Sequence, residues 1–210
     1  MDIFGNSAGY FLNMGNLFYE EGRYEEALQC YEQALRIAPY FAAAWYNKGH
    51  LLKQLGWYQG AIQCYGEVLR IDPYFIDAFI NKGNALKQLG RYEEAIRCYD
   101  EALRIDPNHS RAWYNKGNAM LQIGRYEEAL RCYDQALKNN PSYLDAWNNK
   151  GVVLQQLGRY EEALKCYDEL LRLNPSYIRA WYNKGSVLQL LGRHEEAQQC
   201  FDRARGFNNF

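Results

Sequence analysis

Long apolar runs are missing from this 210-residue chain. The longest span only a few residues, whereas a helix crossing a bilayer needs about 20. The opening residues, Met1-Asp2-Ile3-Phe4-Gly5, lack the basic and then apolar stretches of a secretory signal. A dominant sign of charge is also absent. With 24 Lys and Arg against 25 Asp and Glu, the net charge is −1, and no overall field draws the chain to nucleic acid or anionic lipid. There are only three histidines, and no two cysteines stand at the short spacing of a metal site. No glycine-rich phosphate loop occurs, because the glycines lie too far apart for nucleotide-binding patterns. These absences point to a cytoplasmic chain with no membrane span, nucleic acid partner, metal or cofactor. Thiols without a pairing pattern fit a reducing compartment.

What the chain does have is repetition. Its six cysteines, Cys30, Cys64, Cys98, Cys132, Cys166 and Cys200, follow one another at 34-residue steps. A fixed step of this kind marks one structural unit copied in tandem. Counting from the first residue of each copy, twelve of the 17 glycines fall at positions 8 and 15, and all five prolines at position 32. Each copy reads as two helices. In residues 76–109, Phe79, Gly83 and Leu86 recur on one face of a first helix, which Gly90 ends. Glu93 and Glu94 open a second helix that buries Ala95, Tyr99 and Ala102, and Asp106-Pro107 closes it. Gly83 and Ala95 are the small residues expected where the two helices cross. Outward pairs such as Glu93 with Arg97 read as solvated helix faces.

The stretch Trp113-Tyr114-Asn115-Lys116-Gly117-Asn118, followed by Gly124-Arg125-Tyr126, Ala129, Tyr133, Ala136 and Pro141, resembles the tetratricopeptide repeat. The resemblance implies an all-α fold, a right-handed superhelical solenoid of stacked antiparallel helix pairs with the first helices lining a concave side. Residues 1–7 then form an N-terminal extension and 8–205 a single array, with 206–210 a C-terminal tail. The repeats are 8–41, 42–75, 76–109, 110–143, 144–177 and 178–205. Three departures from the family pattern stand out. Position 7, usually leucine, is Lys48, Lys82, Lys116, Lys150 or Lys184 in five copies. Position 27, usually alanine, is Val68 in one copy and Leu170 in another. No polar capping helix follows the last copy, so apolar surface is expected at that end.

Candidate chemistry is thin outside one surface. The cysteines, at position 23, read as half-buried small hydrophobes. His109 sits at a repeat junction, His194 replaces a structural tyrosine, and His50 faces the groove with no nucleophile near it, so no catalytic residue is assigned. The tyrosines of positions 17 and 24 and the tryptophans of position 4 (Trp45, Trp113, Trp147, Trp181) read as core.

The resemblance places positions 2, 5, 6, 9, 12 and 13 on the concave side. Position 6 is asparagine throughout: Asn13, Asn47, Asn81, Asn115, Asn149 and Asn183. Position 9 adds Asn16, Asn84 and Asn118, with His50, Val152 and Ser186 in the other copies, and position 5 offers Tyr46, Tyr114 and Tyr182. An amide carries donors and an acceptor, so such a ladder pairs with the backbone of an extended peptide, while the tyrosines anchor its side chains. Asparagine is also common in the family at position 6, which leaves helix packing as the other account of the series. At position 2, Asp77, Arg111, Asp145 and Arg179 alternate in sign, which suggests salt bridges between repeats. Family members that grip a C-terminal carboxylate use lysine at position 5; this chain has none there. The reading is a non-catalytic scaffold binding an extended peptide segment in its groove. The alternative is a consensus-like assembly module that forms an end-to-end homo-oligomer through its uncapped C-terminal end.

Overall fold

A computed structural model describes residues 7–206, all of them helix or tight turn, and these fall into two compact units, Met1–Pro107 and Asn108–Phe210. The first holds α1 (Ala8–Glu20), α2 (Tyr24–Ile37), α3 (Ala42–Gln54), α4 (Tyr58–Ile71), α5 (Ile76–Gln88) and α6 (Tyr92–Ile105). The second holds α7 (Ser110–Gln122), α8 (Tyr126–Asn139), α9 (Leu144–Gln156), α10 (Tyr160–Leu173), α11 (Ile178–Leu190) and α12 (His194–Gly206). Each repeat is one helix pair, as its two periodic segments require. Of the expected N-terminal extension only Ser7 is described, and it caps α1 by accepting the Tyr10 N–H at 3.1 Å. Of the expected tail only Gly206 is described, as the last residue of α12; the rest lies outside the described residues.

The punctuation follows from backbone chemistry. After α5 the chain reverses at Gly90, with φ +72°, a region a side chain resists. Gly90 N–H donates to the Lys87 carbonyl and Arg91 N–H to that of Leu86, each at 3.0 Å, which satisfies carbonyls the helix end leaves open. The acidic pair Glu93 and Glu94 occupies the first turn of α6. Asp106 takes an extended conformation (φ −128°, ψ 95°) ahead of Pro107 and stops the helix.

Within each repeat the helices meet at the position-8 glycine. A Cβ on Gly83 would stand 2.6 Å from Tyr99 Cε1, and one on Gly151 2.6 Å from Tyr167 Cε1. Only a hydrogen fits there, so the tyrosine ring packs directly on the backbone of the first helix and is fully buried. The cysteines pack at the same crossing: a Cβ on Gly49 would be 3.0 Å from that of Cys64. Cys64, Cys132, Cys166 and Cys200 are buried, and burial pushes the Cys64 thiol up to about 11. Val68 and Leu170, the larger residues at position 27, are both fully buried.

Two expectations need correction. The position-4 tryptophans are half-buried rather than core. The Trp45, Trp147 and Trp181 indoles donate to the carbonyls of Pro39, Pro141 and Pro175 at 2.8 to 2.9 Å. The unusual lysines cover those rings. Lys48, Lys150 and Lys184 lie 5.5 to 5.8 Å above them. The same ammonium groups pair with Glu32, Asp134 and Asp168 of the preceding repeat at 2.6 to 2.9 Å. Lysine at position 7 therefore links repeats where leucine would only pack. The far end also differs from expectation. On α12, Gln198 and Arg205 stand where earlier second helices carry leucine or isoleucine, and both are exposed. This helix buries only Ala197, Cys200 and Ala204, so its outward side is polar, although Leu190 of α11 remains exposed.

The crossing predicts opposite effects for two glycines in urea unfolding. Gly83→Ala should destabilise by about 1–3 kcal/mol through overpacking against Tyr99. Gly66→Ala, mid-helix with open space around it, should stabilise by up to about 1 kcal/mol.

Candidate functional site

First helices of neighbouring repeats touch within each unit, α1 with α3 with α5, and α7 with α9 with α11. Their polar residues meet in a connected network. In the first repeat the Tyr31 hydroxyl donates to Asn16 Oδ1 at 3.0 Å, and Asn47 Nδ2 of the next repeat donates to the same oxygen at 2.8 Å. The second unit repeats the arrangement: Tyr133 donates to Asn118 Oδ1 at 2.8 Å and Asn149 Nδ2 to that oxygen at 2.9 Å. Tyr99 likewise donates to Asn84 Oδ1 at 2.8 Å.

The position-5 residue provides a second acceptor across the same boundary. Asn81 Nδ2 donates to the Tyr46 hydroxyl at 2.9 Å and Asn149 Nδ2 to that of Tyr114 at 3.2 Å. Asn183 Nδ2 donates to Asn148 Oδ1 at 3.1 Å. Asn47, Asn81, Asn149 and Asn183 each thus spend an N–H on the preceding repeat. Packing between repeats, which left no separate mark in the sequence, uses the same residues as the expected peptide ladder.

Exposure divides the series. Asn81 and Asn115 are only 9% and 8% exposed, and Lys53 Nζ donates to Asn81 Oδ1 at 2.7 Å. Asn47, Asn149 and Asn183 are half-buried, and Asn13 is exposed. A side-chain amide has two donors and two lone pairs, so the half-buried members keep capacity beyond the bonds they make. Tyr46 and Tyr114 are half-buried, resting on Phe75 and Tyr143 with ring centroids 5.2 and 4.7 Å apart. Tyr182 is exposed. Gln54, Gln88, Gln122 and Gln156, at position 13, are exposed as well.

His50 lies at the edge of a cavity of about 220 Å³ that Asn16, Tyr19 and Asn47 also line. Burial, with the nearby Lys53 charge, holds its imidazole below the usual histidine range. The Tyr19 hydroxyl reaches both His50 Nδ1, at 3.3 Å, and Gln54 Oε1. Asp145 at position 2 accepts the Tyr177 hydroxyl of its own repeat at 3.0 Å. Among the described residues no cluster of three or more His, Cys, Asp or Glu is placed to hold a metal ion.

The network also accounts for differences between copies. Where position 9 is His50 or Val152, the buried hydroxyl of Tyr65 or Tyr167 finds no protein partner. Where it is Ser186, position 24 is Phe201, which has no hydroxyl to satisfy. It follows that Tyr133→Phe should lower stability by about 1 kcal/mol, whereas Tyr167→Phe should change it by less than about 0.5 kcal/mol. Paired urea melts check this contrast.

Two family models match the chain. One described as a TPR repeat covers residues 15–56, 49–90 and 83–124, and one described as a tetratricopeptide repeat covers 116–177 and 153–209. Among solved structures, YrrB, described as a TPR protein with an unusual peptide-binding site, is 25% identical with a TM-score of 0.71. That match covers 86% of this chain and 93% of YrrB. MamA is 25% identical with a TM-score of 0.72, over 77% of this chain and 94% of its own. PilF of Pseudomonas aeruginosa is 21% identical with a TM-score of 0.77, over 92% and 88%, a likeness of fold. No curated protein matches the sequence.

Proposed function

The chain belongs to the tetratricopeptide-repeat family, and on that footing we propose that it is a non-catalytic scaffold binding an extended peptide segment along its first helices. The observation that carries this reading is the row of side-chain amides on successive first helices of each unit, held by hydrogen bonds to the preceding repeat and still partly exposed at Asn47, Asn149 and Asn183. Asn47 and Asn183 each donate once to the preceding repeat, and Asn149 donates to both Tyr114 and Asn118 while accepting from Asn148, so each amide is held in a fixed orientation. Oriented donors and acceptors bind a peptide backbone with less ordering entropy to overcome than free ones. The buried Asn81, bonded to both Lys53 and Tyr46, serves mainly to hold its repeat to the one before. Tyr182 and the exposed glutamines at position 13 contact side chains of the bound segment, and the cavity beside His50 admits one of them. The peptide-binding site described for YrrB adds support from a structure of the same architecture.

The orientation argument separates two sets of variants. Linear peptides selected on an array against the intact protein supply the ligand. Asn149→Ala with Asn183→Ala should weaken the selected peptide by about tenfold or more, with helix content retained. Gln198→Ala with Gln199→Ala, on α12, should leave binding unchanged. Equal affinity for the asparagine variant and the wild type would contradict the proposal.

A further inference from the structure

The second repeat departs from the other five on one face of its second helix. Position 16 is arginine in the others (Arg23, Arg91, Arg125, Arg159, Arg193) and Trp57 here. Position 19 is glutamate in the others and Gly60 here. In the five, these residues pair on the surface: Arg91 with Glu94 at 2.6 Å, Arg159 with Glu162 at 2.7 Å, Arg193 with Glu196 at 2.6 Å. The second repeat loses two further acids on the same helix, Gln59 and Gly66 standing for residues that are acidic in every other copy.

The consequence is a larger opening. Repeats four and six have cavities of about 390 and 210 Å³ between the position-4 tryptophan and the position-7 lysine. The equivalent cavity beside Trp45, reaching across α2, α3 and α4, is about 740 Å³. Trp57 forms one wall and is 58% exposed; Leu28 and Leu52 add apolar surface. A Cβ on Gly60 would stand 3.2 Å from Leu52 Cδ1, so a glutamate there would cover the leucine that the glycine leaves open. No lining residue is shared with the cavity beside His50.

Charge distinguishes it as well. The charged lining is Glu32 and Glu67 against the single Lys48, whereas the cavity of repeat four balances two acids with two bases and that of repeat six has two bases to one acid. Lys48 is committed to Glu32 and lies over the Trp45 ring, and Arg70 of the same helix bonds Glu67 through Oε2 at 2.8 and 3.0 Å. The exposed Trp57 ring adds the negative quadrupole that attracts guanidinium groups.

We propose that this cavity is a second binding site, taking a bulky aliphatic side chain of a partner polypeptide that carries arginine beside it. The aliphatic group fills the space between Trp45, Trp57 and Leu52, and the arginine stacks on the exposed Trp57 ring. Exposed tryptophan in a recess is the commonest kind of anchor for such contacts.

The five indole N–H groups of the intact protein give a site-resolved test by proton–nitrogen NMR. The probes are the peptides acetyl-Arg-Ile-Leu-Arg-amide and acetyl-Glu-Ile-Leu-Glu-amide at millimolar concentration. The arginine probe should shift Trp45 and Trp57 saturably, leave Trp113, Trp147 and Trp181 in place, and bind about tenfold or more tighter than the glutamate probe. Gly60→Glu alone, which keeps Trp57 as reporter, and Gly60→Glu with Trp57→Arg should both abolish the shifts at unchanged helix content. Equal shifts at all five indoles, no shift, no preference between the probes, or binding that survives Gly60→Glu would overturn the proposal. Movement of Trp57 with protein concentration alone would assign the cavity to a second copy of the chain and overturn it too.

Discussion

The structure depends on how closely the two helices of each repeat approach at a glycine. Because the position-8 residue has no side chain, a tyrosine from the second helix packs directly against it, fully buried. That placement carries the tyrosine hydroxyl through to the first helix, where asparagine at position 9 accepts it. The same asparagine oxygen takes an N–H from the next repeat. One steric allowance inside a repeat thereby sets up the polar bond between repeats, seen at Asn16 with Asn47 and at Asn118 with Asn149. Neighbour coupling of this kind is what a linear array requires, since no repeat can cover its own apolar face.

Most of this order was legible in the sequence. The 34-residue step, the two glycines of each copy and the prolines of five marked each repeat as a pair of helices, because turn chemistry is local. The asparagine series was legible as a row but not as a network. Hydrogen bonds such as Asn81 to Tyr46 join residues 35 apart, and only packing of α3 on α5 brings them together. For the same reason the lysines of position 7 read as a departure from the family until Glu32, Asp134 and Asp168 were seen beside them. The tryptophans misled through their size. A large aromatic suggests core, but the indole N–H needs an acceptor and finds it in a proline carbonyl at the repeat edge.

In a nearly uniform array, specificity resides where copies differ. The amide row is shared by all six repeats and suits recognition of a backbone, which every peptide presents. Trp57, Gly60 and Gly66 belong to one repeat and suit recognition of a side chain. The first unit therefore offers a general surface and a particular one, formed by different residues. Both arise from the same scaffold of helix crossings, which leaves surface positions open to change while the glycine, tyrosine and alanine positions are held by packing.

The central claim is that the first helices recognise peptide backbone through amides already oriented by the array. The most direct measurement compares one selected peptide with versions N-methylated at single backbone positions, which removes donors and keeps every side chain. The account predicts that methylation at two or more central positions weakens binding by about tenfold or more each, as loss of a buried hydrogen bond does. Methylated peptides that bind as tightly as the parent would contradict it.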